Sequence, residues 1–209
     1  EYFKPGEFWA LRDVTFDVRP GESIGVVGRN GQGKSTLLNL LGLLDRPQGG
    51  TYEFDGVDVC GRRERVRDRI RRDRVGFVFQ SFHVLGTRSA RENLLLRLSA
   101  SRSAPDRRND LVDAALADVG LGTVSDGLVS SFSGGEKQRL AIARALLGET
   151  SLVLADEPTG NLDEENSRAV LALLDGAASR GVSVVVITHD PAVARWADRI
   201  LTVNDGVLA

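Results

Sequence analysis

Lysine is scarce in this chain. Of 27 basic residues, 24 are arginine and only Lys4, Lys34 and Lys137 are lysine. Each lysine therefore marks a place to ask what a compact ammonium does that a planar guanidinium cannot. Lys34 sits in Gly28-Arg29-Asn30-Gly31-Gln32-Gly33-Lys34-Ser35, with Thr36 following. The spacing is G-x-x-x-x-G-K-[ST], and the chemistry it serves is phosphate binding. Successive backbone N–H groups curl around phosphate oxygens, and glycine supplies the close approach and the unusual φ values. The ammonium of Lys34 reaches β- and γ-phosphate oxygens, and the Ser35 hydroxyl suits Mg²⁺.

Two further groupings could act beside such a loop. Leu152-Val153-Leu154-Ala155 is an apolar run that ends in Asp156 and Glu157. Asp156 would hold Mg²⁺, directly or through water. Glu157, one residue further out and on the opposite side of the strand, suits a general base for an attacking water. Ser133-Gly134-Gly135-Glu136 opens an amphipathic run. Ser133 is a good N-cap, and the two glycines leave backbone N–H groups bare at a helix start, which makes a second anion site.

Positioning these groups takes strands alternating with helices. Residues 11–18 alternate, with Leu11, Val14, Phe16 and Val18 apolar, and end at Pro20-Gly21, which predicts a strand and a turn. Strands are also predicted over 23–27, 51–54, 75–79, 152–155, 182–187 and 200–203, and helices over 34–44, 89–98, 110–119, 134–147, 166–178 and 192–197. That alternation argues for a parallel α/β sheet. Residues 81–148 hold helices and no good strand, so we expect one domain over 1–209, with an α/β core from 1–80 and 149–209 and a helical insertion between them.

Composition narrows the classes. The 209 residues are 42% hydrophobic and 27% charged, with a net charge of −2, an ordinary globular balance that excludes disorder. A single cysteine, Cys60, excludes a disulfide scaffold. No apolar run approaches the ~18 residues of a membrane span, and no secretory signal is visible. The chain opens at Glu1 and contains no Met, which suggests a trimmed chain or a fragment. Residues 62–74 hold eight arginines with Glu64, Asp68 and Asp73. In a slightly acidic chain with few aromatics, this reads as a solvated helix laced with pairs such as Asp68 with Arg71 and Arg72, and not as a nucleic-acid surface.

The ordered set GRNGQGKST (28–36), VFQ (78–80), FSGGEKQR (132–139), LVLADEPTGNLD (152–163) and ITHD (187–190) resembles the nucleotide-binding domain of an ABC transporter. SGGE and ADEPTGNLD resemble the subfamily serving lipoprotein release, macrolide-type export and cell division. The resemblance implies a P-loop NTPase (RecA-like) α/β core with a mainly parallel sheet, a small antiparallel β-subdomain and an inserted helical subdomain. It implies ATP hydrolysis with Mg²⁺, a second copy of the domain, a transmembrane permease subunit and a place at the cytoplasmic face of the membrane, with no nucleic acid.

Residue by residue, the resemblance gives Gly28 to Thr36 to the phosphates, with Lys34 catalytic, and Ser35, Asp156 and Gln80 to the metal. Gln80 would sense the γ-phosphate and link to the membrane partner. Glu157 and His189 would act on the γ-phosphate. Ser133, Gly134, Gly135 and Glu136 would face the nucleotide of the other copy, with Asp163 at that interface. Tyr2 resembles the residue that stacks on adenine, with Phe3 and Trp9 as rivals. Phe132 stands where the family usually has Leu and Glu136 where many members have Gln. The partner surface is expected near Gln80, Phe82, Val84 and Leu85. A soluble ABC ATPase acting on DNA or ribosomes and a non-transporting cell-division regulator are the alternative readings.

Overall fold

The computed structural model describes residues 9–100 and 105–208. Short runs rich in Val, Ile and Leu form the strands, because branched side chains pack well on a pleated surface buried on both faces. These are β1 (Ser23–Val27), β4 (Val75–Phe79), β5 (Leu152–Asp156), β6 (Ser183–Ile187) and β7 (Arg199–Asn204). They lie in the order β4-β5-β6-β1-β7, all parallel, and β8 (Val207–Leu208) adds an antiparallel edge to β7. β2 (Glu53–Phe54) and β3 (Val57–Asp58) make a separate antiparallel hairpin around Asp55-Gly56.

Period-two alternation sends the strand side chains to opposite faces. Leu152, Leu154, Val185 and Ile187 pack with Leu37, Leu38 and Leu41 of helix α1 (Lys34–Leu41). Val153, Ala155, Val184 and Val186 pack on the other face with Ile142 and Ala145 of α5 (Gly134–Leu146), Val170 and Leu174 of α6 (Glu164–Ser179) and Val193 of α7 (Pro191–Trp196). A third cluster joins α3 (Ala90–Ala100), α4 (Arg108–Asp118) and the opposite side of α5, through Leu94, Leu98, Leu116, Phe132, Leu140 and Leu147. Helix α5 is thus the wall shared by the sheet layer and the helical layer. Leu140, fully buried on it, stabilises the packing by roughly 1.5–3 kcal/mol.

Residues 11–18 differ from their expectation. They run outside both sheets, with Leu11, Val14, Phe16 and Val18 partly buried against the α1 cluster. Alternation reports that one face is buried; it carries no information about a partner strand. Asp13, at φ 54°, also breaks regular extension. The arginine-rich helix α2 (Glu64–Arg74) has the expected Asp68–Arg71 pair, but Arg72 pairs with Asp73. Arg67 is not solvated: it is 1% exposed and donates to the Leu43 and Asp45 carbonyls just beyond α1.

Candidate functional site

Because β4, β5, β6 and β1 are parallel neighbours, the residues that follow them gather at one edge of the sheet. β1 leads into the loop from Gly28 to Gly33, β4 into Gln80, β5 into Asp156 and Glu157, and β6 into Thr188 and His189.

Gly33 is the N-cap of α1 at φ 103°, in the left-handed region, and a Cβ there would overlap the Ala10 carbonyl oxygen. Glycine is required at this point by both conformation and space. Lys34 is 8% exposed, and its Nζ donates to the carbonyls of Gly28 at 2.7 Å and Arg29 at 2.8 Å. The ammonium is thereby held under the loop it serves. Arg29, Asn30, Gly31 and Ser35 are exposed, and Thr36 lies in the first turn of α1. Gln32 is tied from outside: its Oε1 accepts from the N–H of Asp205, in the turn between β7 and β8. The Arg12 N–H donates to Gly206 in the same turn at 2.7 Å. Asp205 escaped sequence reasoning, because its role depends on a chain reversal far from the motif.

Glu157 lies just past β5 at φ 47°. Its direction is set by that left-handed backbone and not by strand alternation, which corrects the sequence argument for its orientation. Such a conformation costs on the order of 1–3 kcal/mol and persists only where its surroundings enforce it. The Glu157 N–H donates to the Ile187 carbonyl at 2.9 Å. Its Oε1 accepts from the His189 N–H at 3.0 Å and contacts His189 Nδ1 at 2.6 Å. Oε2 accepts from the Thr188 hydroxyl at 3.3 Å. Thr188 is fully buried and its oxygen accepts from the Asp190 N–H, which leaves its proton for Glu157. The Glu157 carboxylate raises the His189 pKa, chiefly through their hydrogen bond and then through charge. Nδ1 is held by Glu157, and the ring is otherwise largely exposed. Thr188 also escaped the sequence reading, although it stands inside ITHD.

Asp156 is half-buried. Burial first, and then the neighbouring charge of Glu157, push its pKa up, while Lys34 pulls it down. Gln80 donates from Nε2 to Asn161 Oδ1 at 3.2 Å, and Asn161 donates back to the Gln80 carbonyl at 3.2 Å.

The Ser133 group stands apart; among the described residues no hydrogen bond or ion pair joins it to the Lys34 loop. Ser133 and Glu136 form a reciprocal capping box: Ser133 N–H donates to Glu136 Oε2 at 2.8 Å, and the Glu136 N–H donates to Ser133 Oγ at 3.3 Å. Those bonds hold the Glu136 pKa below the usual carboxylate range. Gly135 is buried, and a Cβ there would fall inside Asn166 Oδ1. Asp163 caps α6 by accepting from the Asn166 N–H at 2.8 Å, which lowers its pKa. Tyr2 and Phe3 lie outside the described residues; Trp9 is half-exposed. Of the expected partner surface, Leu85 is exposed, Val84 packs on the helical cluster and Phe82 is half-buried.

Residues 11–160 match the ABC transporter family. The chain belongs to that family. The ABC cassette is 43% identical over 206 residues to the macrolide export ATP-binding/permease protein MacB of Azoarcus sp. (strain BH72), covering 98% of this chain and 31% of that protein. It thus spans about a third of the length of that relative. It is 39% identical to the uncharacterized ABC transporter ATP-binding protein YknY of Bacillus subtilis (strain 168), covering 95% of this chain and 86% of YknY. The post-hydrolysis dimeric structure of the ATP-binding cassette MJ0796 bound to ADP and Pi superposes with a TM-score of 0.86 at 35% identity, over 100% of this chain and 93% of that one. The cassette has the mainly parallel P-loop α/β fold its motifs imply. Among the described residues no helix is long and apolar enough to cross a membrane.

Proposed function

We propose that this cassette hydrolyses ATP to drive a membrane permease, as one of a pair of cassettes that close head to tail around nucleotide. The observation that carries the reading is the convergence of the Lys34 loop, Gln80, Asp156, Glu157 and His189 at the carboxyl edge of four neighbouring parallel strands. The α1 N-terminus and Lys34 would bind the phosphates. A divalent cation suits the site: the half-buried Asp156 carboxylate is raised by desolvation, and a cation relieves that cost. The donors are hard oxygens from Ser35, Asp156 and Gln80, the kind of set Mg²⁺ takes alongside substrate phosphates. When bound, Mg²⁺ would neutralise developing charge on the phosphates.

Glu157 is the base. A carboxylate offers about four lone-pair sites, and the contacts to His189 N–H, His189 Nδ1 and Thr188 leave one for water. His189, favoured in its charged form, presents Nε2–H to the γ-phosphate. The Ser133-Gly134 helix start is separate from the Lys34 loop of its own chain, which supports its acting on the partner's nucleotide. The dimeric MJ0796 cassette supports the pairing, and the ATP-binding/permease relatives support a membrane partner of export type. The chain division into an α/β core of 1–80 and 149–209 with a helical subdomain over 81–148 belongs to the same reading; the separate apolar cluster of α3, α4 and α5 supports it.

The test is Glu157→Gln, which keeps size and removes the base. Hydrolysis should fall about 10²–10⁴-fold, nucleotide binding should persist, and an ATP-bound dimer should accumulate on a sizing column. Wild-type turnover in this variant would refute the assignment.

A further inference from the structure

Gln138 lies on the buried side of α5 and is 0% exposed. It shares its stripe with Gly135, Ile142 and Ala145, all buried, so the helix period alone calls for an apolar residue there. Its Nε2 donates to the Pro158 carbonyl at 2.6 Å, a short bond between fully enclosed partners. Among the described residues its Oε1 finds no hydrogen-bond partner. The bond to Pro158 satisfies a buried carbonyl, and the orphan Oε1 offsets part of the gain. The net stability gained at Gln138 is therefore small.

Its position is more telling. Pro158 follows Glu157, and the carbonyl that Gln138 grips belongs to the second peptide beyond the strained residue. The turn is closed on its far side by the Gly160 N–H donating to the Glu157 carbonyl at 3.1 Å. Glu157 is thus fixed from three directions: its N–H on β6, its carboxylate on Thr188 and His189, and, one residue on, the Pro158 carbonyl on α5. Only the last comes from the helix whose first turn carries Ser133 and Gly134. Between Ser133 and Gln138 the helix rises about 7.5 Å at ~1.5 Å per residue, as one hydrogen-bonded rod.

We propose that Gln138 is a positioning residue that fixes Glu157 from α5, so that seating of the Ser133 end on nucleotide sets the base of the same chain. The inference rests on the hydrolytic reading of Glu157 given above. A shift of α5 would move the Pro158 carbonyl, and with it the turn that begins at the left-handed Glu157. Small misplacement of a base costs rate far more than it costs binding.

The experiment uses Gln138→Met, which removes the donor and the orphan Oε1 and leaves the Pro158 carbonyl unpaired, in the full chain with MgATP. We expect kcat to fall about tenfold, KM for ATP to stay within about twofold, and the thermal midpoint to shift by no more than a few degrees, because one unpaired buried oxygen replaces another. The decisive readout is the cycle with Glu157→Gln. If Gln138 acts through Glu157, Gln138→Met has no further effect on the residual rate of Glu157→Gln; a general structural role lowers that rate again. Gln138→Leu carries the same expectation in a second shape. Unchanged kcat in folded Gln138→Met, additive losses in the cycle, or failure of both variants to fold cooperatively would each overturn the proposal. Full turnover in Glu157→Gln alone would instead overturn the base assignment, and this inference with it.

Discussion

Substituting Gly135 by Ala tests what the glycine pair at the start of α5 is for. Sequence chemistry assigns both glycines to bare backbone N–H groups at an anion site. The structure gives Gly135 a different constraint, since its Cα faces Asn166 of α6 and a Cβ would occupy the volume of Oδ1. The Asn166 amide must then rotate away. It donates to both Asp163 oxygens at 2.9 Å, and its Oδ1 accepts from Arg139 at 3.3 Å. At roughly 0.5–1.5 kcal/mol per bond, in a partly exposed setting, the loss is about 2 kcal/mol. The backbone bond from Asn166 N–H to Asp163 survives. Gly→Ala in a helix returns at most ~1 kcal/mol, and less in a first turn. We expect Gly135→Ala to cost about 1–2 kcal/mol by urea denaturation, or some 2–4 °C of Tm per kcal/mol. In an Asn166→Ala background the same substitution should cost nothing or stabilise slightly, which is a coupling of about 2 kcal/mol. Equal costs in the two backgrounds, within ~0.5 kcal/mol, would refute the packing argument.

Two further outcomes follow from the geometry. The raised His189 pKa means that its bond to Glu157 contributes stability fully below the ordinary histidine value near ~6.5 and loses it as pH rises through the shifted value; the His189 ring titration followed by NMR should move down in Glu157→Gln, and identical curves would contradict the contact. For the composite site, Gly134→Asp is a cleaner probe than any change at Gly135, because a Cβ at Gly134 meets Leu162 and Phe82 at ordinary distances of 3.7 and 3.8 Å. Mixing Lys34→Ala chains with Gly134→Asp chains should restore partial ATPase activity in proportion to the heterodimer fraction, whereas a site built within one chain gives none.

The sequence by itself determined the local arrangements that depend on spacing along the chain. The Gly28 to Ser35 loop, the apolar run into Asp156 and Glu157, and the Ser133–Glu136 cap each need only neighbours along the chain, so residue types and intervals specify them. The alternation of apolar runs likewise specified the parallel sheet, because strands buried on both faces leave continuous hydrophobic segments. Tertiary structure decided whatever depends on residues distant in sequence. Residues 11–18 alternate as a strand does, yet a ladder needs a partner that no alternation supplies. Arg67 reads as one charge among many and is buried on the end of α1. Gln32 depends on Asp205, and Glu157 on Thr188, His189 and, through Pro158, Gln138. A polar residue on an apolar stripe was the one sign of Gln138 along the chain. Its partner could be named only once α5 was laid against the end of β5, because a buried hydrogen bond is fixed by packing in three dimensions and leaves no interval to count.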